Sequence, residues 1–164
     1  MKKIILSIAL LLGVVVTYAQ SEKTNGTIYI KHPYIDMVNK SANAYQTQNI
    51  PQWKALYADT AKFSFSSIDK KVTVQERVKM FAKNYELFDK ITVKPYGYPD
   101  YLHYVKDNAK VVQSWWTWSG KSKKTGKVVK VLFAMFDSFN ADGKIEDEGI
   151  FGDFSKVNAE NPTK

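Results

Sequence analysis

Ala109-Lys-Val-Val-Gln-Ser-Trp-Trp-Thr-Trp-Ser119, Lys127-Val-Val-Lys-Val-Leu-Phe-Ala-Met-Phe-Asp-Ser-Phe139 and Lys144-Ile-Glu-Asp-Glu-Gly-Ile-Phe-Gly-Asp-Phe154 are three consecutive strand-like runs. A lysine-rich turn through Thr125-Gly126 and the tetrapeptide Asn140-Ala141-Asp142-Gly143 separate them, and both carry the glycine that tight turns favour. In the first run Val112, Ser114, Trp116 and Trp118 share one face, and Val111, Gln113, Trp115 and Thr117 share the other. The first set is the more apolar, so it is expected to face the interior. In the second run the apolar face is Val129, Val131, Phe133, Met135, Asp137 and Phe139. Two shorter runs, Ile91 to Tyr96 and Tyr101 to Lys106, precede these, with Pro99-Asp100 and Asp107-Asn108 as punctuation. Consecutive hairpins of this kind predict a mostly antiparallel sheet.

The half of the chain before Asp89 has a different texture. Tyr34, Met37, Val38, Ala42 and Tyr45 recur at helical spacing. Asn49-Ile50-Pro51 ends that helix and starts a second, expected over Gln52 to Tyr57, because proline suits a first helical turn and disfavours helix in the residue before it. Ala61 to Ser66 alternates Phe63 and Phe65 with polar residues and reads as a half-buried strand. Thr73 followed three residues later by Glu76 is a capping-box signature, and Val74, Val78, Phe81, Tyr85 and Phe88 then mark a third helix. The fold class is therefore α+β, with helices packed on one face of the sheet.

Met1-Lys-Lys3, the apolar stretch Ile4 to Val16 and Thr17-Tyr18-Ala19 have the three parts of a secretion signal. The apolar stretch is shorter than the roughly 20 residues a membrane span requires, so cleavage after Ala19 and no stable membrane anchor are expected. Residues 20–33 read as a polar leader, 34–154 as one domain and 155–164 as a polar tail. About 145 mature residues suffice for one core and not for two. The chain has no cysteine, which excludes disulfides and thiolate chemistry. Its net charge is +8, and two of those charges, Lys2 and Lys3, leave with the signal. The expected location is periplasmic or extracellular.

The order of these elements and three local phrases resemble the nuclear transport factor 2-like superfamily, which includes ketosteroid isomerase and SnoaL-like polyketide cyclases. The phrases are Trp53-Lys-Ala-Leu-Tyr-Ala-Asp59, Trp116-Thr-Trp-Ser-Gly120 and Phe136-Asp-Ser-Phe-Asn-Ala-Asp-Gly-Lys-Ile145, and the resemblance spans Tyr34 to Phe154. It implies a conical roll in which a curved, mostly antiparallel sheet wraps around three helices and encloses a ligand pocket. It also turns Glu148 inward beside Asp137, although the run Glu146-Asp147-Glu148 taken alone reads as a solvated face. Aligned without gaps, the positions of ketosteroid isomerase's tyrosine, general-base aspartate and second aspartate hold Ser41, Phe65 and Met135. Phenylalanine cannot shuttle a proton, so that enzyme's own chemistry is not expected.

Asp137 and His103 are the candidate catalytic pair, a carboxylate on an apolar face and a group that titrates near neutrality. Asp137 has a second reading, as the acceptor that braces the Asn140 to Gly143 turn. Candidate pocket residues are Tyr34, Tyr45, Trp53, Tyr57, Phe63, Phe65, Trp116, Trp118, Phe133, Met135 and Glu148. Two isolated histidines lack metal-ligand spacing, and no phosphate loop or catalytic serine elbow is present, so neither cofactor nor metal is expected. Lys121, Lys123, Lys124, Lys127 and Lys130 read as a solvated hairpin, and nucleic acid is not an expected partner. Trp115 faces away from Trp116 and suggests a homodimer contact or a sugar-stacking surface on the outer sheet. Two functions follow as expectations: a pocket for a small, partly apolar or aromatic ligand with acid/base catalysis, or a non-catalytic module acting through its sheet.

Overall fold

The computed structural model describes residues 24–161, so the expected signal lies outside the described residues. The strands are β1 (Gly26–Tyr29), β2 (Tyr57–Phe65), β3 (Ile68–Thr73), β4 (Phe88–Pro95), β5 (Asp100–Tyr104), β6 (Lys110–Ser122), β7 (Val128–Phe139) and β8 (Ile145–Gly152). The helices are α1 (Pro33–Gln46), α2 (Ile50–Ala55), α3 (Val74–Leu87) and α4 (Ser155–Asn158). One curved sheet runs β1-β5-β6-β7-β8-β2-β3. Every pairing is antiparallel except β2 with β8. One edge of β6 is shared, since β5 pairs with its first third and β4 with its second half. Irregularities in β2, β4 and the β7–β8 pairing interrupt the ladder where bulges add bend and twist.

The alternation read from the sequence is realised on the long strands. Val112, Ser114, Trp116 and Trp118 are all buried, as are Val129, Val131, Met135, Asp137 and Phe139. Together with Val38, Phe63, Ile145 and Ile150 they form a core between the helices and the concave face of the sheet. The Thr73–Glu76 capping box is present, and the Thr73 backbone and hydroxyl hold the Glu76 carboxyl down at about 2. Asn49 caps α2 by accepting from the Gln52 N–H.

Four local expectations need correction. The second helix ends at Ala55, because Tyr57 is already paired with Ile145 as the first residue of β2. β3 is a strand the pattern does not announce, since Ile68-Asp-Lys-Lys-Val-Thr73 shows no clean alternation. The leader contributes β1, which pairs with β5, and Pro33 already belongs to α1. The polar tail contributes a fourth, short helix, α4, whose Val157 packs against the core with Phe154. No helix among the described residues is long and apolar enough to cross a membrane.

Candidate functional site

A cavity of about 200 Å³ opens between the helices and the concave sheet. Trp53 and Tyr57 enter it from α2 and the start of β2, Phe65 from the far end of β2, and Tyr45 from α1. The sheet supplies Trp118, Phe133, Met135 and Glu148. Three expected lining residues do not reach it. Tyr34 instead stacks on Phe139, ring centres 4.0 Å apart, because it opens α1 at the far end of the helix. Phe63 is consumed by the core against Trp53 and Tyr57, and Trp116 turns back on its own strand, its Nε1 donating to Ser114 Oγ at 2.8 Å.

The polar wall of the cavity is built around Glu148, which is only 2% exposed. β8 places it on the same face as Ile150, and the irregularity between Ile145 and Asp147 in the β7–β8 pairing leaves Glu146 outside, against the solvated reading of the acidic run. Tyr57 Oη donates to Glu148 Oε2 at 2.5 Å, and Ser41 Oγ lies 2.8 Å from Tyr57 Oη. With the phenolic proton committed to Glu148, Ser41 is the donor to Tyr57 and the three form a one-way chain. Burial, the Glu148 charge and the hydrogen bond to Glu148 push the Tyr57 phenol well above its ordinary value, so it stays protonated.

Asp137 stands directly opposite Glu148 in the β7–β8 ladder, fully buried. Neither of its oxygens has a hydrogen-bond partner among the described residues. Burial first, then the Glu148 charge, push its carboxyl well above the usual aspartate range. Two bare carboxylates side by side in a dry core repel, which favours the protonated form of Asp137. The expected bracing of the turn does not occur: Asn140 Oδ1 accepts from Lys144 N, and Gly143, at φ 74°, closes the turn with an N–H to Asn140 O. Asp137 is not itself a lining residue and sits one carboxyl behind the cavity wall.

His103 does not join Asp137. Its Nε2 lies 2.6 Å from Asn108 Oδ1 at the β5–β6 turn, and it is not among the lining residues. His32 caps α1, its Nδ1 accepting from Tyr34 N, and stacks on Tyr101; burial, then the neighbouring His103, lower its pKa.

The residue missed by sequence reasoning is Arg77, the sole arginine of the chain. It projects from α3 into the cavity wall, its guanidinium carbon 4.5 Å from the Phe81 ring centre and 4.9 Å from that of Phe65. Its Nη2 lies 3.7 Å from Glu148 Oε1, an ion pair with both side chains largely buried. The signal was available: Val74, Arg77 and Phe81 fall at helical spacing on one face. Among the described residues no cluster of histidine, aspartate and glutamate is arranged to hold a metal.

No family model matches the chain, and no curated protein does. Solved structures do match. A protein of ketosteroid isomerase-like fold from Catenulispora acidiphila, in complex with trimethylamine, is 16% identical with a TM-score of 0.60, covering 76% of this chain and 91% of its own. A nuclear transport factor 2-like protein from Burkholderia thailandensis is 20% identical with a TM-score of 0.60, covering 77% and 95%. IdmH, a candidate polyketide cyclase from Streptomyces antibioticus, is 12% identical with a TM-score of 0.63, covering 79% and 98%. Shared helices on a curved sheet, matched over nearly the full length of these proteins, show that this chain has the nuclear transport factor 2-like fold.

Proposed function

We propose that the protein is exported after loss of residues 1–19, binds a small, partly apolar or aromatic molecule in the cavity, and moves a proton on it. The observation that carries this reading is Glu148, a buried carboxyl on an otherwise largely aromatic wall, tied to Tyr57 and facing Arg77. Glu148 takes or returns the proton at the ligand, Tyr57 orients it, and Asp137 behind it holds a second proton. His103 has no part in this arrangement, since its partner is Asn108. Reactions of the isomerase, cyclase or hydrolase type fit such a site, and IdmH, of similar fold, is a candidate polyketide cyclase.

The test is proton NMR of a panel of aryl ketones in D2O with the mature domain. Catalysed exchange of the hydrogens beside the carbonyl, lost in Glu148→Gln, is expected. Saturable binding with exchange no faster than in buffer would leave a binding domain without this chemistry. Mass spectrometry of the exported protein should give Gln20 as the first residue, and an intact Met1 in the membrane fraction would overturn the export proposal.

A second reading places self-association on the convex face. Trp115, Leu132 and Phe151 lie there on adjacent strands, and Leu132 and Phe151 are each about half exposed.

A further inference from the structure

We infer that the ligand of this cavity is a monocarboxylic acid with an apolar or aromatic body, its carboxylate received by Arg77. The inference rests on the pocket reading above and names the class of molecule the pocket takes. The first observation is that Arg77 is under-satisfied. Its side chain is only 16% exposed, its Nε is buried without an acceptor, and no acceptor among the described residues lies within hydrogen-bonding distance of its guanidinium. Glu148 approaches to 3.7 Å, close enough for charge attraction and too far for a hydrogen bond. A guanidinium carries five N–H donors in a planar fork that matches a carboxylate, and leaving the buried Nε–H unpaired is costly.

The second observation is what holds Arg77 in place. Phe63, Phe65 and Phe81 pack around the guanidinium, 5.9, 4.9 and 4.5 Å from its central carbon. The charge is therefore fixed by rings that offer no competing acceptor, and it lies on the wall of the cavity.

A third group adds a donor on the same wall. Tyr45 Oη accepts from both Trp118 Nε1 and Asn84 Nδ2, each at 3.0 Å, which leaves its own O–H free to donate. Arg77 and Tyr45 both line the cavity, so unpaired donors converge there. Donors in excess select an acceptor-rich, anionic group.

Glu148 restricts that group further. A dianion such as a phosphate monoester would bring two negative charges beside the Glu148 carboxylate, whereas a carboxylate brings one and shares Arg77 with it. A cationic ligand would face the guanidinium directly. The remaining walls, Trp53, Phe65, Trp118 and Phe133 among them, suit an apolar body.

Trp53 and Trp118 make the cavity observable by tryptophan fluorescence. The wild-type domain is titrated at pH 7 with 3-phenylpropionate, 3-phenylpropionamide and 3-phenylpropylamine, which share a body and differ in the head group. The acid is expected to bind about tenfold or more tightly than the amide, and the amine most weakly. Arg77→Gln should bring acid and amide within about twofold of each other, the acid losing most. Arg77→Lys keeps the charge beside Glu148 and serves if the glutamine variant does not fold; it should retain a reduced preference for the acid. Equal binding of acid and amide by the wild type would overturn the carboxylate inference and leave the pocket reading standing. No saturable response to any of the three would remove the pocket reading and the inference with it.

Discussion

At Asp137 burial and charge act in the same direction, and the consequence is measurable as a dependence of stability on pH. An unfolded aspartate ionises near pH 3.9. In the fold the carboxyl is raised by desolvation and by Glu148, so above that pH the native state holds a proton that the unfolded chain has released. Stability is then lost as pH rises towards the folded value, by at most about 1.4 kcal/mol per pH unit from this one group. An amide in its place cannot titrate, so Asp137→Asn should match the wild type near pH 4 and gain on it progressively up to pH 8. Paired melting curves across that range check this, and a stability difference independent of pH would mean that Asp137 ionises as easily in the fold as out of it. Tyr57 behaves differently, because its hydroxyl satisfies a buried carboxylate at 2.5 Å. Tyr57→Phe keeps the ring contacts with Trp53 and Phe63 and removes the donor, which should cost about 1.5–3 kcal/mol in urea unfolding. A loss under about 0.5 kcal/mol would show that water or Arg77 replaces the phenol.

The elements differ in how firmly they are written into the fold, and β1 is the one held by the narrowest margin. Gly26 pairs with Tyr104, and a side-chain carbon at Gly26 would lie 2.4 Å from the His103 carbonyl oxygen. Gly26→Ala must therefore push β1 away from β5, an overpacking cost of about 1–3 kcal/mol that falls on a strand of four residues. Amide exchange in β1 should rise roughly tenfold or more while β6 and β7 keep their protection. Uniform acceleration across the sheet would instead make β1 part of the global folding unit. The same weakness explains why β1 escaped the sequence: Gly-Thr-Ile-Tyr exposes three of its four residues, so no buried face shows in its pattern. β3 escaped for a similar reason, with Asp69, Lys70 and Lys71 in its middle. β6 and β7 were legible because one face of each is buried, nearly all apolar in β7 and carrying two tryptophans in β6, and the helices because their caps and apolar stripes agree. In the site, alternation brought Asp137 inward, but the meeting of Glu148, Tyr57 and Arg77 depends on the parallel β2–β8 pairing and on α3 lying over it. Those are long-range contacts that local periodicity does not encode.

For the molecule as a whole the two faces of the sheet pose different problems. The concave face is covered by helices and spends its apolar residues on the core and the cavity, so no further partner is needed there. On the convex face Thr117 opposes Leu132, Trp115 opposes Ala134, and Ala134 opposes Phe151, which meets Phe136 edge to face at 5.5 Å. Alternation puts all the paired residues on one surface, and Leu132 at 53% and Phe151 at 52% exposure leave much of it open to water. Trp115 is better covered, because the backbone at Gly97 passes close to its ring. Leu132 is therefore a better probe of self-association than Trp115, since changing it disturbs little packing within the chain. If two copies meet through this face, Leu132→Lys places a charge in a desolvated contact and should convert a dimer to a monomer in sedimentation velocity. Its melting temperature at concentrations where the wild type has already dissociated should be unchanged, because an exposed substitution usually alters stability by no more than about 0.5 kcal/mol. The same variant separates the two functional readings. Pocket chemistry through Glu148 should survive in the monomer, as Tyr57, Arg77 and Asp137 beside that carboxyl belong to its own chain. A wild type that sediments as a monomer at high concentration removes the interface, and loss of ligand binding together with the dimer would show that the second copy shapes the cavity.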